Sequence, residues 1–189
     1  MKIKAQNALL NYYPSFFDTK VARTLTKSLL SEVAFSQDTI TLYGKQHNVP
    51  RLQAWFGSAG YQYSGLLMKP LSWTPSLLAI KEKVEHFSGY QFNSALVNLY
   101  RNQHDSVSWH SDDEPELGKH PVIASISLGA TRTFKLKHKE SKENLTIPLV
   151  EGSLLMMEGE TQEYWQHAVL KEKKASGPRI NITFRQLHK

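Results

Sequence analysis

Arg179-Ile180-Asn181-Ile182-Thr183-Phe184-Arg185, near the end of the 189-residue chain, alternates without a break. Successive side chains of a strand point to opposite faces, so Ile180, Ile182 and Phe184 fall on one side of it. Arg179, Asn181, Thr183 and Arg185 fall on the other. The apolar side requires a core. The polar side has two readings, the ordinary solvent face of an antiparallel strand or the wall of a site. Its chemistry favours the second, because it is rich in donors and carries no carboxylate, whereas solvent faces mix Lys, Glu, Gln and Thr. Six residues of rise set the two arginine α-carbons about 20 Å apart, so side chains leaning inward from both ends can bracket a small dicarboxylate. Arginine suits that task, since its planar fork meets a carboxylate through two parallel hydrogen bonds.

Upstream of this strand the same period recurs. Ala95 to Tyr100, Val122 to Gly129, Thr133 to His138, Leu145 to Leu149 and Ser153 to Glu158 all read as short strands. Gly118, Gly129, Gly152, Gly159 and Gly177-Pro178 punctuate them. Two helices precede the strands. Val21, Leu25, Leu29 and Val33 recur every four residues after Asp18, and Leu77, Ile80, Val84 and Phe87 line a second helix. Thr74 suits the N-cap of that helix, Pro75 its first position and Gly89 its stop. Between them, Ile40 to Lys69 is rich in Gly, Tyr and Trp and reads as hairpins and loops. The pattern predicts a mostly β protein with flanking helices (α+β), a sandwich or jelly roll buttressed by those helices.

Composition sets the frame. With 40% hydrophobic and 11% aromatic residues, a chain of this length folds around one core. The expected organisation is a single domain, 1–189, with an N-terminal extension over about 1–90 and a β core over about 91–189. The absence of cysteine excludes a disulfide framework, a thiolate zinc site and a cysteine nucleophile. No stretch approaches a transmembrane length and no cleavable signal opens the chain, which fits a cytoplasmic protein. The formal net charge of +6 attracts polyanions without selecting among them.

Trp109-His110-Ser111-Asp112 offers an imidazole and a carboxylate two residues apart, which on a strand share one face. His167, in Trp165-Gln166-His167-Ala168-Val169, is the best third ligand. Two histidines and a carboxylate make the facial triad of non-haem iron(II), with three positions left open. His47, His86, His104, His120, His138 and His188 lack comparable surroundings. Asn98 and Tyr100, two apart on their strand, place hydrogen-bonding groups on one face. Taken alone, an H-x-D triplet is also a chance occurrence and a half-exposed strand is also a common one.

In order and spacing, these pieces resemble the AlkB family of 2-oxoglutarate dioxygenases. The resemblance runs from about Tyr43 to Arg185 and includes Asn98-Leu99-Tyr100, His110-Ser111-Asp112-Asp113-Glu114, Ser127-Leu128-Gly129, Gly152 to Met157, Trp165 to His167 and the closing strand. It implies a double-stranded β-helix core behind an N-terminal helical and hairpin lid. It implies iron(II) on His110, Asp112 and His167, with 2-oxoglutarate and dioxygen as cosubstrates. Arg179 would then take the distal carboxylate of 2-oxoglutarate and Arg185 would lie near its iron-bound end, with Asn98, Tyr100, Asn181 and Thr183 in the same pocket. Among the branches, the chain is most similar to the one that repairs duplex DNA. Tyr61-Gln62-Tyr63-Ser64-Gly65 resembles that branch's lid: Tyr61 on the lesion, Tyr63 stacking on a flipped base opposite His110, Ser64 shaping the pocket. Glu114 matches the acidic reader of the exocyclic amine. Tyr43 stands where a phenylalanine is usual in the wedging finger, and Arg51 would support the backbone nearby.

The implied reaction is oxidative demethylation of 1-methyladenine and 3-methylcytosine in DNA, with RNA as the alternative, releasing succinate and formaldehyde. A monomer is expected, in the cytoplasm, at the nucleoid of a bacterium or in a eukaryotic nucleus. Two other classes stay open, a small-molecule or amino-acid hydroxylase on the same core and a non-catalytic nucleic-acid binder.

Overall fold

A strand apolar on one side and polar but buried on the other needs covering on both faces. The computed structural model places Arg179–Arg185 accordingly, inside the larger of two facing sheets. The structure describes residues 1–42, 44–57, 61–63, 66–174 and 177–188, and at 41–42, 61–63 and 66–68 it describes the backbone alone. In chain order, β1 (Lys2–Ala5) and β2 (Ala8–Tyr13) precede helix α1 (Thr19–Glu32). Strands β3 (Thr39–Leu42), β4 (Lys45–Asn48), β5 (Leu52–Gly57), β6 (Tyr61–Tyr63) and β7 (Leu66–Met68) lead to helix α2 (Pro75–Ser88). Then come β8 (Ser94–Tyr100), β9 (Val107–His110), β10 (Ile123–Gly129), β11 (Arg132–His138), β12 (Asn144–Leu149) and β13 (Ser153–Glu158). A single turn of helix, α3 (Thr161–Tyr164), precedes β14 (Trp165–Val169) and β15 (Arg179–Arg185).

The larger sheet runs β1-β2-β13-β10-β15-β8-β5 and the smaller β12-β11-β14-β9, while β3-β4 and β6-β7 are separate hairpins. Neighbours within each sheet are antiparallel. Ile180, Ile182 and Phe184 join Ile126, Leu128 and Val97 against Leu29, Leu77, Ile80 and Val84 of the two helices. Each such side chain contributes about 1.5–3 kcal/mol when fully buried. On the opposite face, Ile123, Leu155 and Met157 meet Phe134, Leu136, Ile147, Leu149, Trp165 and Val169 of the smaller sheet. This is the expected jelly roll, two sheets face to face with the helices outside the larger one. Among the described residues no helix is long and apolar enough to cross a membrane.

The second helix is built as its sequence predicts. Thr74 caps it by accepting the Leu77 N–H, Pro75 opens it and Gly89 ends it at φ 76°. In α1 the expected stripe is off by part of a turn. Asp18 caps the helix, but Val21 is 40% exposed and Ala22 is buried with Leu29 instead. At 3.6 residues per turn each step of four drifts by about 40°, so Val21 has rotated off the contact face. Ala22, seven residues from Leu29, lies within about 20° of it. Phe87 is likewise 48% exposed, with its ring edge-on to Tyr13.

Five strands escape the period-two reading. Residues 1–7 read as polar and basic and β2 is a largely apolar run without strict alternation, yet β1 and β2 extend the large sheet past β13. Strand β5 pairs with β8 from within the stretch read as hairpins and loops, so one strand of the first ninety residues lies directly beside the cavity-bearing strands. The short β9 and β14 pair with each other and carry two of the candidate ligands. Two glycines close the core turns. Gly129 has φ +80° and a Cβ there would stand 2.5 Å from the Pro178 carbonyl oxygen, while one at Gly152 (φ +79°) would press on the Phe17 carbonyl.

Candidate active site

The polar face of β15 is buried along its whole length. Arg179, Asn181, Thr183 and Arg185 are all below 9% exposed, which decides between the two readings of that face. Its neighbours complete the wall. Register sets Arg179 beside Tyr100 and Asn181 beside Asn98 on β8, and Asn181 beside Ser127 and Thr183 beside Ser125 on β10. The side chains open into a cavity between the sheets. Leu96, Phe134, Leu149, Met157 and Val169 supply its apolar lining.

At one end of the cavity stand His110, Asp112 and His167, whose ligand atoms all lie within 4.8 Å of one another. His110 and His167 are register partners on β9 and β14, with ring centroids 4.3 Å apart. His110 Nδ1 faces the Ser108 carbonyl at 2.8 Å, so Nδ1 carries the proton and Nε2 is the electron-pair-bearing nitrogen of the ring. Asp112 departs from the expectation: β9 ends at His110, and Asp112 follows it off the strand, 1% exposed. Its carboxylate converges through the turn rather than through strand alternation. Asp112 Oδ1 accepts from Arg185 Nη2 at 2.9 Å, and Oδ2 has no hydrogen-bond partner among the described residues.

Electrostatics set the protonation states that a metal requires. Burial pushes the Asp112 carboxyl up, but Arg185 and then the two imidazoles outweigh it and hold it at about 2. Burial, followed by the neighbouring His110, pushes His167 down to about 3. Burial also lowers His110, against the pull of Asp112. The result is one carboxylate and two neutral imidazoles converging on a point, with a carboxylate oxygen still unsatisfied. That donor set fits an iron(II) facial triad.

At the other end Arg179 is 1% exposed and lies over the Tyr100 ring, 5.1 Å from its centroid. Arg132 lies near the same ring at 5.7 Å. Arg179 Nη2 donates to Ser127 Oγ at 2.9 Å, and its Nε and Nη1 have no hydrogen-bond partner among the described residues. Burial pushes this guanidinium down from its ordinary range, while the Tyr100 phenol opposes that. A buried fork with two idle donors is built for an anion.

The remaining polar residues have definite partners. Arg185 Nη1 donates to Thr183 Oγ1 at 2.9 Å, so Thr183 braces the arginine that neutralises Asp112. Asn181 Nδ2 donates to Ser125 Oγ and to the Ile126 carbonyl, both at 2.9 Å. Asn98 Oδ1 accepts from Arg51 Nε at 2.7 Å. That bond turns Arg51, which is 4% exposed, into the cavity, while it also shares a second hollow with Ile40 of the β3–β4 hairpin. The sequence reading assigns no role to Ser125 or Ser127, although two small hydroxyls at alternate positions of an otherwise apolar strand are a usable signal.

Of the other residues expected to read a substrate, only Glu114 has a described side chain. Tyr43 and Ser64 lie outside the described residues, and so do the side chains of Tyr61 and Tyr63, whose backbone forms the β6–β7 hairpin. Glu114 is half-buried ahead of the 3₁₀ turn Pro115–Leu117 and is not part of the cavity wall.

Comparison with known proteins agrees with this arrangement. A model of the 2OG-Fe(II) oxygenase superfamily matches residues 9–185. The alpha-ketoglutarate-dependent dioxygenase alkB homolog 3 of Homo sapiens is 45% identical over 186 residues, which cover 93% of this chain and 65% of that protein. The DNA oxidative demethylase ALKBH2 of Homo sapiens is 37% identical over 188 residues, 93% of this chain and 72% of that one. The chain thus spans about 65% of the length of the homolog 3 proteins of man and cattle. The solved structure of OsALKBH1 superposes with a TM-score of 0.64 at 18% identity, over 94% of this chain and 97% of the other, and shares the fold.

Proposed function

Because this chain belongs to the AlkB family of the 2OG-Fe(II) oxygenase superfamily, we propose that it is an iron(II)- and 2-oxoglutarate-dependent dioxygenase that demethylates nucleic-acid bases. The observation that carries this reading is the two-ended cavity, with the His110, Asp112, His167 cluster at one end and the two idle donors of Arg179 at the other. A dicarboxylate lying between them would meet both.

His110 Nε2, the carboxylate of Asp112 and a ring nitrogen of His167 would hold the iron. When bound, iron supplies the oxidative chemistry that couples decarboxylation of 2-oxoglutarate to succinate with hydroxylation of an N-methyl group, whose product loses formaldehyde. Arg179 would bind the distal carboxylate through its fork and so fix the direction in which the cosubstrate lies. Asn98 and Tyr100 would add hydrogen bonds along its length. Arg185, held by Thr183, keeps Asp112 ionised and would hold its carboxylate ready for the metal. The apolar lining excludes water, which strengthens each of these contacts.

The proposed substrates are 1-methyladenine and 3-methylcytosine in DNA, with RNA as the competing polymer. Methylation of the pairing edge weakens the duplex at the lesion and lowers the cost of flipping the base out. Tyr43, Tyr61, Tyr63, Ser64 and Glu114 are proposed to receive it. The net charge of +6 supplies attraction to the phosphate backbone. The protein would act as a monomer wherever its nucleic acid is kept, in the cytoplasm or the nucleus. Similarity to homolog 3 proteins exceeds similarity to ALKBH2 proteins, so strand preference is left to direct measurement.

The test is a mass-resolved demethylation assay on matched single- and double-stranded DNA and RNA carrying either lesion, with Asp112→Asn as control. Loss of one methyl mass, matched by succinate and formaldehyde, is expected from the wild type alone. Succinate formation without demethylation of any of the oligonucleotides would retain the oxygenase and reject the nucleic-acid substrate.

A further inference from the structure

Of the three clustered ligands, only Asp112 lies off the sheets. His110 and His167 are fixed by the β9–β14 pairing, but the Asp112 backbone N–H has no ladder partner and no access to water. It donates instead to Gln162 Oε1 at 2.9 Å. Gln162 sits on α3, 1% exposed, and among the described residues its Nε2 faces only a weak acceptor, the Met157 sulfur at 3.7 Å. Burying an amide against a thioether is a poor choice for packing alone, since an apolar residue of that size would fill the space without desolvation cost.

The surrounding contacts point the same way. Ser111 Oγ donates to the Trp165 carbonyl at 2.9 Å. Lys139 Nζ bridges the Gln162 carbonyl at 3.1 Å and Asp113 at 3.4 Å. All three residues after His110 are therefore tied to the segment that leads into His167, and Gln162 provides the tie at the ligand itself. We propose that Gln162 is a positioning residue for the metal centre, which sets the backbone of Asp112 so that its carboxylate meets the metal alongside the two imidazoles. This rests on the reading of His110, Asp112 and His167 as a metal site.

The test compares manganese(II) affinity of metal-free wild type, Gln162→Met and Gln162→Glu, followed by loss of the free-ion magnetic resonance signal. Gln162→Met keeps the volume and removes the acceptor, whereas Gln162→Glu keeps an acceptor oxygen at the same reach. Partners one step removed from a metal are typically worth about 10–100-fold in affinity. The expected result is a rise in Kd of that order for Gln162→Met, recovery to within about threefold for Gln162→Glu, and an unchanged KM for 2-oxoglutarate at saturating metal. Should Gln162→Met not fold, Gln162→Asn, with its acceptor one methylene short, takes its place with the same expectation. Equal affinity in all the proteins, or equal weakening whether or not the acceptor is kept, overturns the assignment. A wild type that binds no manganese overturns the metal site itself, which separates the two failures.

Discussion

Replacing Arg179 by methionine should separate cosubstrate binding from stability, with effects of opposite sign. The side chain is buried, holds Ser127 by one bond and keeps Nε and Nη1 unused among the described residues. If those two donors take the distal carboxylate of 2-oxoglutarate, the variant leaves that carboxylate buried and unpaired. Truncating one side of such a charge pair costs about 2–5 kcal/mol, or roughly 30- to 4,000-fold in affinity. Arg179→Lys keeps the charge but not the fork and should lose about tenfold, near one net hydrogen bond. The fold has less to lose, because removing a buried, incompletely bonded cation for an apolar group of similar size is commonly neutral or stabilising. Titrating 2-oxoglutarate while measuring succinate, with a melting curve of each variant, reads both quantities. A KM within threefold of wild type in a folded Arg179→Met protein would refute the cosubstrate role, and a fall of many degrees in its melting temperature would refute the account of stability.

Other perturbations test other parts of the structure. Gly152→Ala should destabilise the protein by at least about 2 kcal/mol, because φ +79° and contact with the Phe17 carbonyl both oppose a Cβ, and an unchanged denaturation midpoint would count against that turn. Asp105 is held below the usual carboxylate range: burial raises its pKa, but the bonds and charge of Arg101 outweigh it. A depressed folded-state pKa gives stability that is fully present above the ordinary value of about 3.9 and is lost as pH falls through the folded value. The advantage of wild type over Asp105→Asn should therefore shrink as acid titrations pass below about pH 4, and a constant gap there would contradict the sign. Tyr43→Ala, if the tyrosine wedges between bases, should cost more on duplex than on single-stranded substrate, and equal losses would argue against a wedge.

The legibility of the sequence follows the range of the interactions. Strand β15 is readable because its two faces differ in chemistry within seven residues. The helix caps at Thr74 and Gly89 are readable because a cap is a local event. His110 and Asp112 are recognisable as a pair, yet the reason they converge is not local, since the group that sets the Asp112 backbone lies fifty residues later in Gln162. The resemblance places Arg51 near the hairpin, but its bond to Asn98 across the β5–β8 edge, which brings it into the cavity wall, is a long-range contact that no local pattern shows. Arg132 has no sequence signal at all. It is fully buried and donates to the carbonyls of Asn102, Asp105 and Leu170, partners scattered over two loops. Such backbone-to-guanidinium bonds are invisible to any pattern of side-chain types.

The cavity's own charges bear on the life of the protein in a cell. Among the described residues, the cavity lining holds Arg51, Arg179 and Arg185 and one carboxylate, Asp112, with both imidazoles neutral, so the protein side of the site carries an excess of two positive charges. A doubly charged organic acid is the matching counter-ion, and one present at about a hundred times its Kd would add about 2.7 kcal/mol to folding stability. A melting temperature indifferent to added 2-oxoglutarate would remove this link. Where it holds, the standing amount of folded protein becomes a function of the supply of that acid, because the unfolded fraction is what proteolysis removes. A shortage of cosubstrate would then thin out the enzyme as well as slow it.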